Sequence, residues 1–525
     1  MVIKGIIKKG EYYDSVTLML VARDVTKLEG VEDAAVVMGT EQNKSILETS
    51  GILLDMFKDA KDSDLLIAVK AKDESTANQA IQKVDELLKA KRSKSQEAGE
   101  YMPKSLEGAL DFMPDANMVI ISVAGKYAGD EAMKALEKGL HVMLFSDNVP
   151  IEKEIELKKY GRDQGLLVMG PDCGTAIING VPLCFANVVN RGDIGIVAAS
   201  GTGLQEVSSV ITNEGSGISQ AIGTGGRDVK KDVGGIMFME GIKALEEDPE
   251  TKYIVLVSKP PHPEVLKKVA NLIKSEIKKP VVGIFLGGDP KVVEGAGAIP
   301  SNTLEEAGLI AASLSKGKSM DEFKKLLEDR EKEILQIAEK ESKNKTATQK
   351  YVRGLYTGGT LCDEAMLISR TIIGEVYGNA PINPDFKLEN SWISKENSFV
   401  DLGEDEFTVG RPHPMIDFTL RNKKILDEVK DPEVAVILLD VVLGYGSNMQ
   451  PGDELSPAIK QAREFAEKEG RNVTFICSIT GTNKDPQDRK KVKEQLEDAG
   501  AIVMPSNAAA AKLASYIVKN IGGVR

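Results

Sequence analysis

The residues able to do chemistry are few, and they sit in loops. His413 stands in TVGRPHPMIDFTLRN (408–422), between Pro412 and Pro414 and two residues after Arg411. The prolines fix φ at their own positions and bias Arg411 and His413 toward extended backbone. That suits presenting a side chain, and it equally suits a stiff turn. The other two histidines, His141 and His262, are isolated, so local sequence offers no histidine-rich metal site. Cys173, Cys184, Cys362 and Cys477 form no CxxC pair and read as reduced, mostly buried thiols. No metal is expected. Two glycine loops, SGTGLQEV (200–207) and TGGTLCDEAM (357–366), each follow an apolar strand and open an amphipathic helix. Free N–H groups and the positive helix end favour a phosphate or carboxylate there, and glycine permits close backbone approach. Ser200, Gly201, Thr202, Gly203, Thr357, Gly358, Gly359 and Thr360 are therefore candidate anion contacts. Taken singly, each loop reads equally as a tight strand–helix turn, and neither is a P-loop. Arg227 in GTGGRDV follows glycine as Arg411 does. Its guanidinium suits a carboxylate or phosphate; the competing reading is a surface ion pair or loop clamp.

These loops need elements to hold them. Residues 1–95 read as a small α/β unit, with a helix at VTLMLVARDVTKLEG, strands at AAVVMG and LLIAVKAK, and a helix over 74–90. A polar linker follows. From Ala116, NMVIISVAG, HVMLFS, GLLVMG, IGIVAAS, YIVLVS and PVVGIFLGG are near-continuous apolar runs with amphipathic segments between most of them. That is the pattern of a parallel sheet covered on both faces, with ligands beyond the carboxyl ends of its strands. Those ends read GPDCGT (170–175), ASGTG, GTGGRD and GGDPK. Residues 321–350 read as a charged, solvated helical linker. After Tyr351 the landmarks recur in the same order. Arg227 precedes Asp248 of its DPE by 21 residues, and Arg411 precedes Asp431 of its DPE by 20. The second half reads as a repeat of the first.

Bulk properties narrow the classes. At 525 residues the chain needs several cores. A net charge of −13 without a basic stripe argues against a nucleic-acid partner or an anionic membrane. No signal peptide or membrane-spanning run is evident, so the expected location is the cytoplasm.

Long strings then carry a resemblance. IKKGEYYDSV, VMGTEQNKSIL, LLVMGPDCGT, FANV, ASGTGLQE, IGTGGRDV, GLYTGGTL and TVGRPHPMIDFTLRN resemble the FdrA family, within the acyl-CoA synthetase superfamily that includes succinyl-CoA synthetase. The resemblance implies a multidomain α/β fold. Its parts are a small N-terminal unit (1–95), a Rossmann-like CoA-binding-type domain (104–190), and a flavodoxin-like ligase domain (192–320). The linker and a second ligase domain (351–525) complete it. It implies that a helix start from each ligase domain, at Ser200–Gly203 and Thr357–Thr360, faces one centre. It also exposes departures. The synthetase motif GHAGAI corresponds to Glu294 through Ile299, so Gly295 stands where the phosphate-carrying histidine would be. The acidic residue supporting that histidine falls within SKPPHP, at about Lys259. The CoA phosphate loop has no clear match, and the nucleotide-grasp domain is missing.

What the resemblance implies is a subunit of oxamate carbamoyltransferase in purine and ureide (allantoin) catabolism, moving a carbamoyl group between oxamate and phosphate. Ser200–Gly203 and Thr357–Thr360 would hold phosphate. Arg227, Arg411 and Lys259 would hold the carboxylate or oxyanion, and His413 and His262 would be candidates for proton transfer. The repeat shifts emphasis from His413 to Arg411, since the arginine recurs and the histidine does not. No cofactor is required; phosphate or carbamoyl phosphate is expected as substrate. The alternatives are a CoA ligase working with a separate nucleotide-binding subunit, and a non-catalytic sensor or scaffold. Under the ligase reading CoA binds, with Pro171, Asp172 and Cys173 near it, although a structural use of Cys173 has the stronger case. Expected partners are small anions, other subunits of the pathway and, as an option, further copies of the chain.

Overall fold

The computed structural model describes residues 1–13, 15–97, 103, 105–408 and 412–522. Arg411 lies outside the described residues. The N-terminal unit runs β1 (Val2–Lys8), α1 (Ser15–Thr26), β2 (Val31–Met38), α2 (Glu41–Thr49), β3 (Leu65–Ala71) and α3 (Glu74–Glu97). Its antiparallel sheet has the order β1-β3-β2. Strand β1 escaped the sequence reading because Gly5 breaks its apolar pattern. The glycine is needed: a Cβ there would stand 2.5 Å from the Phe57 ring and 2.6 Å from the Ile67 carbonyl oxygen.

The next unit contains α4 (Leu106–Phe112), β4 (Met118–Ile121), α5 (Gly125–Glu137), β5 (His141–Leu144), α6 (Ile151–Gln164) and β6 (Val168–Met169). Its three parallel strands lie in the order β4-β5-β6. His141 belongs to this framework, its Nδ1 accepting the Leu167 N–H at 2.9 Å.

The first ligase-type domain follows. It comprises β7 (Thr175–Ile178), β8 (Val181–Cys184), β9 (Arg191–Ala199), α7 (Gly201–Asn213), β10 (Ile218–Gly223), α8 (Ile236–Glu247) and β11 (Tyr253–Ser258). It continues with α9 (Pro263–Glu276), β12 (Val281–Phe285), α10 (Pro290–Gly295), β13 (Ile299–Pro300) and α11 (Leu304–Ser315). The sheet order is β13-β12-β11-β9-β10-β7-β8. The expected boundaries group the hairpin β7–β8 with residues 104–190, but it pairs antiparallel with β10 and so extends this second sheet. The hairpin's apolar residues could serve either neighbour, and sequence alone does not choose.

Helix α12 (Met320–Ser342) leads to the second ligase-type domain. The expected solvated linker is corrected in part. Phe323, Ile334 and Ala338 are buried in the core shared by both ligase domains, and Glu331 bonds Lys512 and Tyr516. The second domain comprises β14 (Tyr351–Tyr356), α13 (Gly359–Ile373), β15 (Tyr377–Gly378), β16 (Ser398–Asp401), α14 (Asp405–Thr408), α15 (Thr419–Glu428) and β17 (Val434–Val442). It ends with α16 (Pro451–Lys468), β18 (Thr474–Thr480), α17 (Arg489–Asp498), β19 (Ile502–Met504) and α18 (Asn507–Gly522). Its parallel order is β15-β16-β14-β17-β18-β19. Setting aside the edge additions, β10-β9-β11-β12-β13 and β16-β14-β17-β18-β19 are one topology used twice. Strand β17 is buried along all nine residues, as a strand covered on both faces must be.

The two domains are locked by an exchange of carboxylates. Glu206 of α7 accepts the Asn507 N–H at the first residue of α18 (3.1 Å) and the Thr480 hydroxyl. Glu364 of α13 accepts the Leu304 N–H at the first residue of α11 (2.7 Å) and the Asn507 side-chain amide (2.7 Å). Each ligase domain thus caps the last helix of the other. Replacing Glu364 by alanine strands two buried donors and is expected to cost about 1–3 kcal/mol. A lowered urea midpoint for Glu364→Ala, matched by Glu206→Ala, is the measurement.

Candidate functional site

Helices α7 and α13 begin side by side. Ser200 caps α7, its Oγ accepting the Gly203 N–H at 3.0 Å, and donates to Thr360 Oγ1 of the other domain at 2.7 Å. Gly358 packs on Thr202, where a Cβ would stand 2.9 Å from the threonine methyl. The loop before α13 is held differently. The buried Asp440 carboxylate accepts the N–H groups of Thr357 and Gly358 (2.8 Å each) and the Thr357 hydroxyl (3.0 Å). Arg421, also fully buried, pairs with Asp440 at 3.3 Å. Two N–H groups expected to face an anion therefore already face a protein carboxylate. The two helix starts still lie together, as the resemblance implies.

Lys259 lies at that place. It follows β11, and a Cβ on Gly359 would stand 3.1 Å from its Nζ and 2.6 Å from Asp401 Oδ2. Asp363 Oδ2 is 4.0 Å from Nζ. Burial pulls the ammonium down, but the carboxylates of Asp363, Asp401, Glu404 and Asp172 outweigh it and hold the lysine above its ordinary pKa. The acids move the other way. Burial pushes Asp401 up to about 7 against the pull of Lys259, and it raises Asp363 as well. Asp172, walled in by protein yet still in contact with solvent, is pushed up to about 6. Asp147 is raised by burial and by Asp405. The cleft thus draws Asp147 and Asp172 from the 104–174 unit, Lys259 from the first ligase domain, and Asp363, Asp401, Glu404 and Asp405 from the second.

His413 borders this cluster. Its Nδ1 accepts the Met415 N–H at 3.1 Å, which leaves the proton of the neutral ring on Nε2. Burial pushes the imidazole down to about 4, so it is neutral at physiological pH. A Cβ on Gly403 would stand 2.8 Å from Nε2 and 3.0 Å from Asp401 Oδ1, so Gly403 sits against both groups. The Phe185 ring lies 6.3 Å away, centroid to centroid.

Other expected contacts have different employment. Arg227 pairs with the buried Glu154 at 2.9 Å and donates to the Val149 carbonyl at 2.8 Å. Its clamp reading is the one the geometry fits, although two-fifths of the side chain stays exposed. His262 caps α9, its Nδ1 accepting the Glu264 N–H at 3.3 Å. Cys173 donates to the Thr175 carbonyl, and burial pushes its thiol up to about 12, so it is no nucleophile. Gly201 lies by Thr175, where a Cβ would stand 3.4 Å from the hydroxyl. Pro171 follows a cis bond, and Asp172 has a φ of +55°. Gly295 closes α10 with open space where a Cβ would be. Sequence reasoning missed Asp147, Asp363, Asp401, Glu404 and Asp405. Only Asp401, at the end of β16, and Glu404 and Asp405, at the start of α14, carry a legible signal, a carboxylate where a strand hands over to a helix.

Three family models match the chain: an AllF heavy metal-associated domain over residues 1–103, a CoA-binding domain over 189–287 and a CoA-ligase domain over 355–517. The CoA-binding match falls on the first ligase-type domain, whereas the resemblance implies that unit at 104–190. Over 215 residues the chain is 28% identical to the succinate–CoA ligase [ADP-forming] alpha subunit of Staphylococcus epidermidis, covering 40% of this chain and 67% of that one. The ATP citrate lyase of Methanothrix soehngenii, solved with citrate and coenzyme A, aligns over 81% of this chain and 86% of its own. Its identity is 13% and its TM-score 0.36. The CoA-binding and CoA-ligase models and the succinate–CoA ligase relative give the class, the acyl-CoA synthetase and succinyl-CoA ligase superfamily. Within it, the chain is 42% identical over 520 residues to the uncharacterized protein YahF of Escherichia coli (strain K12), covering 99% of each, and it belongs to the YahF family.

The metal implied by the first match does not fit. Residues 1–103 contain no cysteine and no histidine, the donors that heavy metals select. Among the described residues no cluster of His, Cys, Asp and Glu could hold a metal ion. Among them, too, no helix is long and apolar enough to cross a membrane.

The Asp401 shift has a sign that can be checked. The folded protein keeps this proton to about pH 7, whereas an unfolded aspartate releases it near ~4. Its contribution to stability is full below about pH 4 and is lost as pH rises to about 7. Asp401→Asn is expected to flatten stability across that window in urea titrations. Lys259→Met is expected to raise the Asp401 titration further, read from its carboxyl infrared band.

Proposed function

We propose that the cleft transfers a carbamoyl group between an oxamate-derived substrate and phosphate, as one subunit of a carbamoyltransferase serving purine and ureide (allantoin) catabolism. The observation that carries this reading is Lys259, a cation at the meeting of two helix starts, where the resemblance to succinyl-CoA synthetase implies the carboxylate that would support a phosphohistidine. With Gly295 in place of that histidine, phosphate must react directly. A phosphate oxygen attacks the carbonyl carbon of N-carbamoyl-oxamate. The C–N bond to the oxamate nitrogen then breaks, that nitrogen takes a proton, and carbamoyl phosphate and oxamate leave. Lys259 and the ends of α7 and α13 stabilise phosphate and the oxyanion. Asp401, half-protonated near neutral pH, holds the proton the leaving nitrogen needs. Neutral His413 presents Nε2–H beside it. Arg411 is the candidate contact for the substrate carboxylate.

A second reading, a CoA ligase acting with a separate nucleotide-binding subunit, is favoured by the CoA-binding and CoA-ligase matches. The two separate by experiment. Phosphate-dependent carbamoyl phosphate formation by the full chain with its partner subunits is expected to fall by about 10²-fold in Lys259→Met, the scale of losing one oxyanion contact. An unchanged rate would sink the carbamoyl reading. Micromolar CoA binding by calorimetry would favour the ligase.

A further inference from the structure

Residues 1–103 carry no donor set for the heavy metal their family model names, and their position in the fold points to a different use. We propose that the N-terminal domain is a strap lying across the mouth of the three-domain cleft and controlling access to it. The domain is self-contained: among the described residues, neither of its two hydrophobic clusters includes a residue beyond Leu88. Its sheet has two ends, and each is tied to a different part of the body. At one end, β1 and β2 finish and β3 starts around Asp64, which accepts the Gly10 and Lys61 N–H groups at 2.9 Å each. Asp62 in that loop pairs with Lys126, the second residue of α5. At the other end, Lys27 just after α1 pairs with Glu454 in the first turn of α16 at 3.4 Å.

Both anchors belong to the cleft face. Helix α5 follows the carboxyl end of β4, and Gly125, beside Lys126, packs against the Asp147 carbonyl. Helix α16 follows the carboxyl end of β17. Glu454 accepts from the Asn448 side chain at 2.9 Å, and the Asn448 N–H donates to the Met415 carbonyl at 2.8 Å, in the turn that carries His413. The strap therefore reaches from the wall bearing Asp147 to the wall bearing His413. Its anchors are part-exposed ion pairs, with side-chain exposures of 64% and 24% at one and 50% and 30% at the other. Such pairs hold weakly and are screened by salt. They suit a cover that opens.

The test needs no turnover, so its outcome is separate from the carbamoyl-transfer reading. A reporter cysteine is placed in the cleft as Asp363→Cys, a side chain only 15% exposed with the domain in place, in the full chain with Cys184→Ser; the remaining native thiols are buried. Its maleimide labelling is timed at low ionic strength. Labelling is expected to be several-fold faster in Lys27→Glu with Lys126→Glu, and faster in high salt for the unaltered anchors. Exchanging one pair, Asp62→Lys with Lys126→Asp, is expected to restore the slow rate, which a misfolded domain would not do. Equal rates in the anchored and charge-reversed proteins would overturn the proposal.

Discussion

The architecture depends on two carboxylates buried where the ligase domains meet. A helix begins with N–H groups that its own backbone cannot satisfy. In α11 and α18 those ends are buried against the opposite domain, beyond the reach of water. Glu206 and Glu364 resolve this by reaching across the boundary, each from the middle of a helix whose own start lies in the cleft. Burial pushes Glu364 up to about 7 and raises Glu206, a measure of how unwelcome the charge is there. That cost is offset only when the two domains sit in one mutual arrangement. The same arrangement places Ser200 on Thr360 and Gly358 on Thr202. The shape of the cleft is thus tied to how two helix ends elsewhere are satisfied.

Much of this was legible in the chain. The doubled flavodoxin-like topology follows from uninterrupted Val/Ile/Leu runs, which only a strand covered on both faces tolerates, and from landmarks recurring in order. The loops at 200–203 and 357–360 were found because glycine and hydroxyl residues between a strand and a helix have few other uses. What escaped was decided by partners far away in sequence. Arg227 was read chiefly as an anion contact, yet its geometry is set by Glu154, 73 positions earlier, in a buried group with Lys158 and Asp228. His262 looks chemical beside Lys259 but serves as a helix cap, a role fixed by Pro263 and the following N–H groups. Asp401 lies in FVDLGED, where nothing local marks a carboxylate to be enclosed by three domains.

The electrostatics of the cleft divide the labour between its groups. Lys259 is surrounded by acids, so it keeps its charge despite burial. The acids are enclosed by protein and, to a lesser degree, crowded together, so Asp401 and Asp172 give up theirs at higher pH than free aspartate does. A cation that stays charged beside a carboxyl poised near neutrality provides both an anion contact and a proton source. An imidazole held neutral adds a directed donor without adding charge. None of these roles needs a residue that carries phosphate covalently.

The glycines show how tightly the arrangement is set. At Gly359 a single Cβ would fall between Lys259 and Asp401, and at Gly403 it would fall between His413 and Asp401. Neither position has a φ in the left-handed region, so backbone freedom does not explain them. Space does. Both glycines border Asp401, so a side chain at either would crowd that carboxyl and the lysine or histidine beside it before it strained the chain. The second half of the repeat therefore keeps glycine at 359 and 403 for the sake of contacts made by other residues. The TGGT loop that first suggested a phosphate cradle has a second purpose: Thr357 and Gly358 fasten it to Asp440, and Gly359 clears the ground on which Lys259 and Asp401 meet.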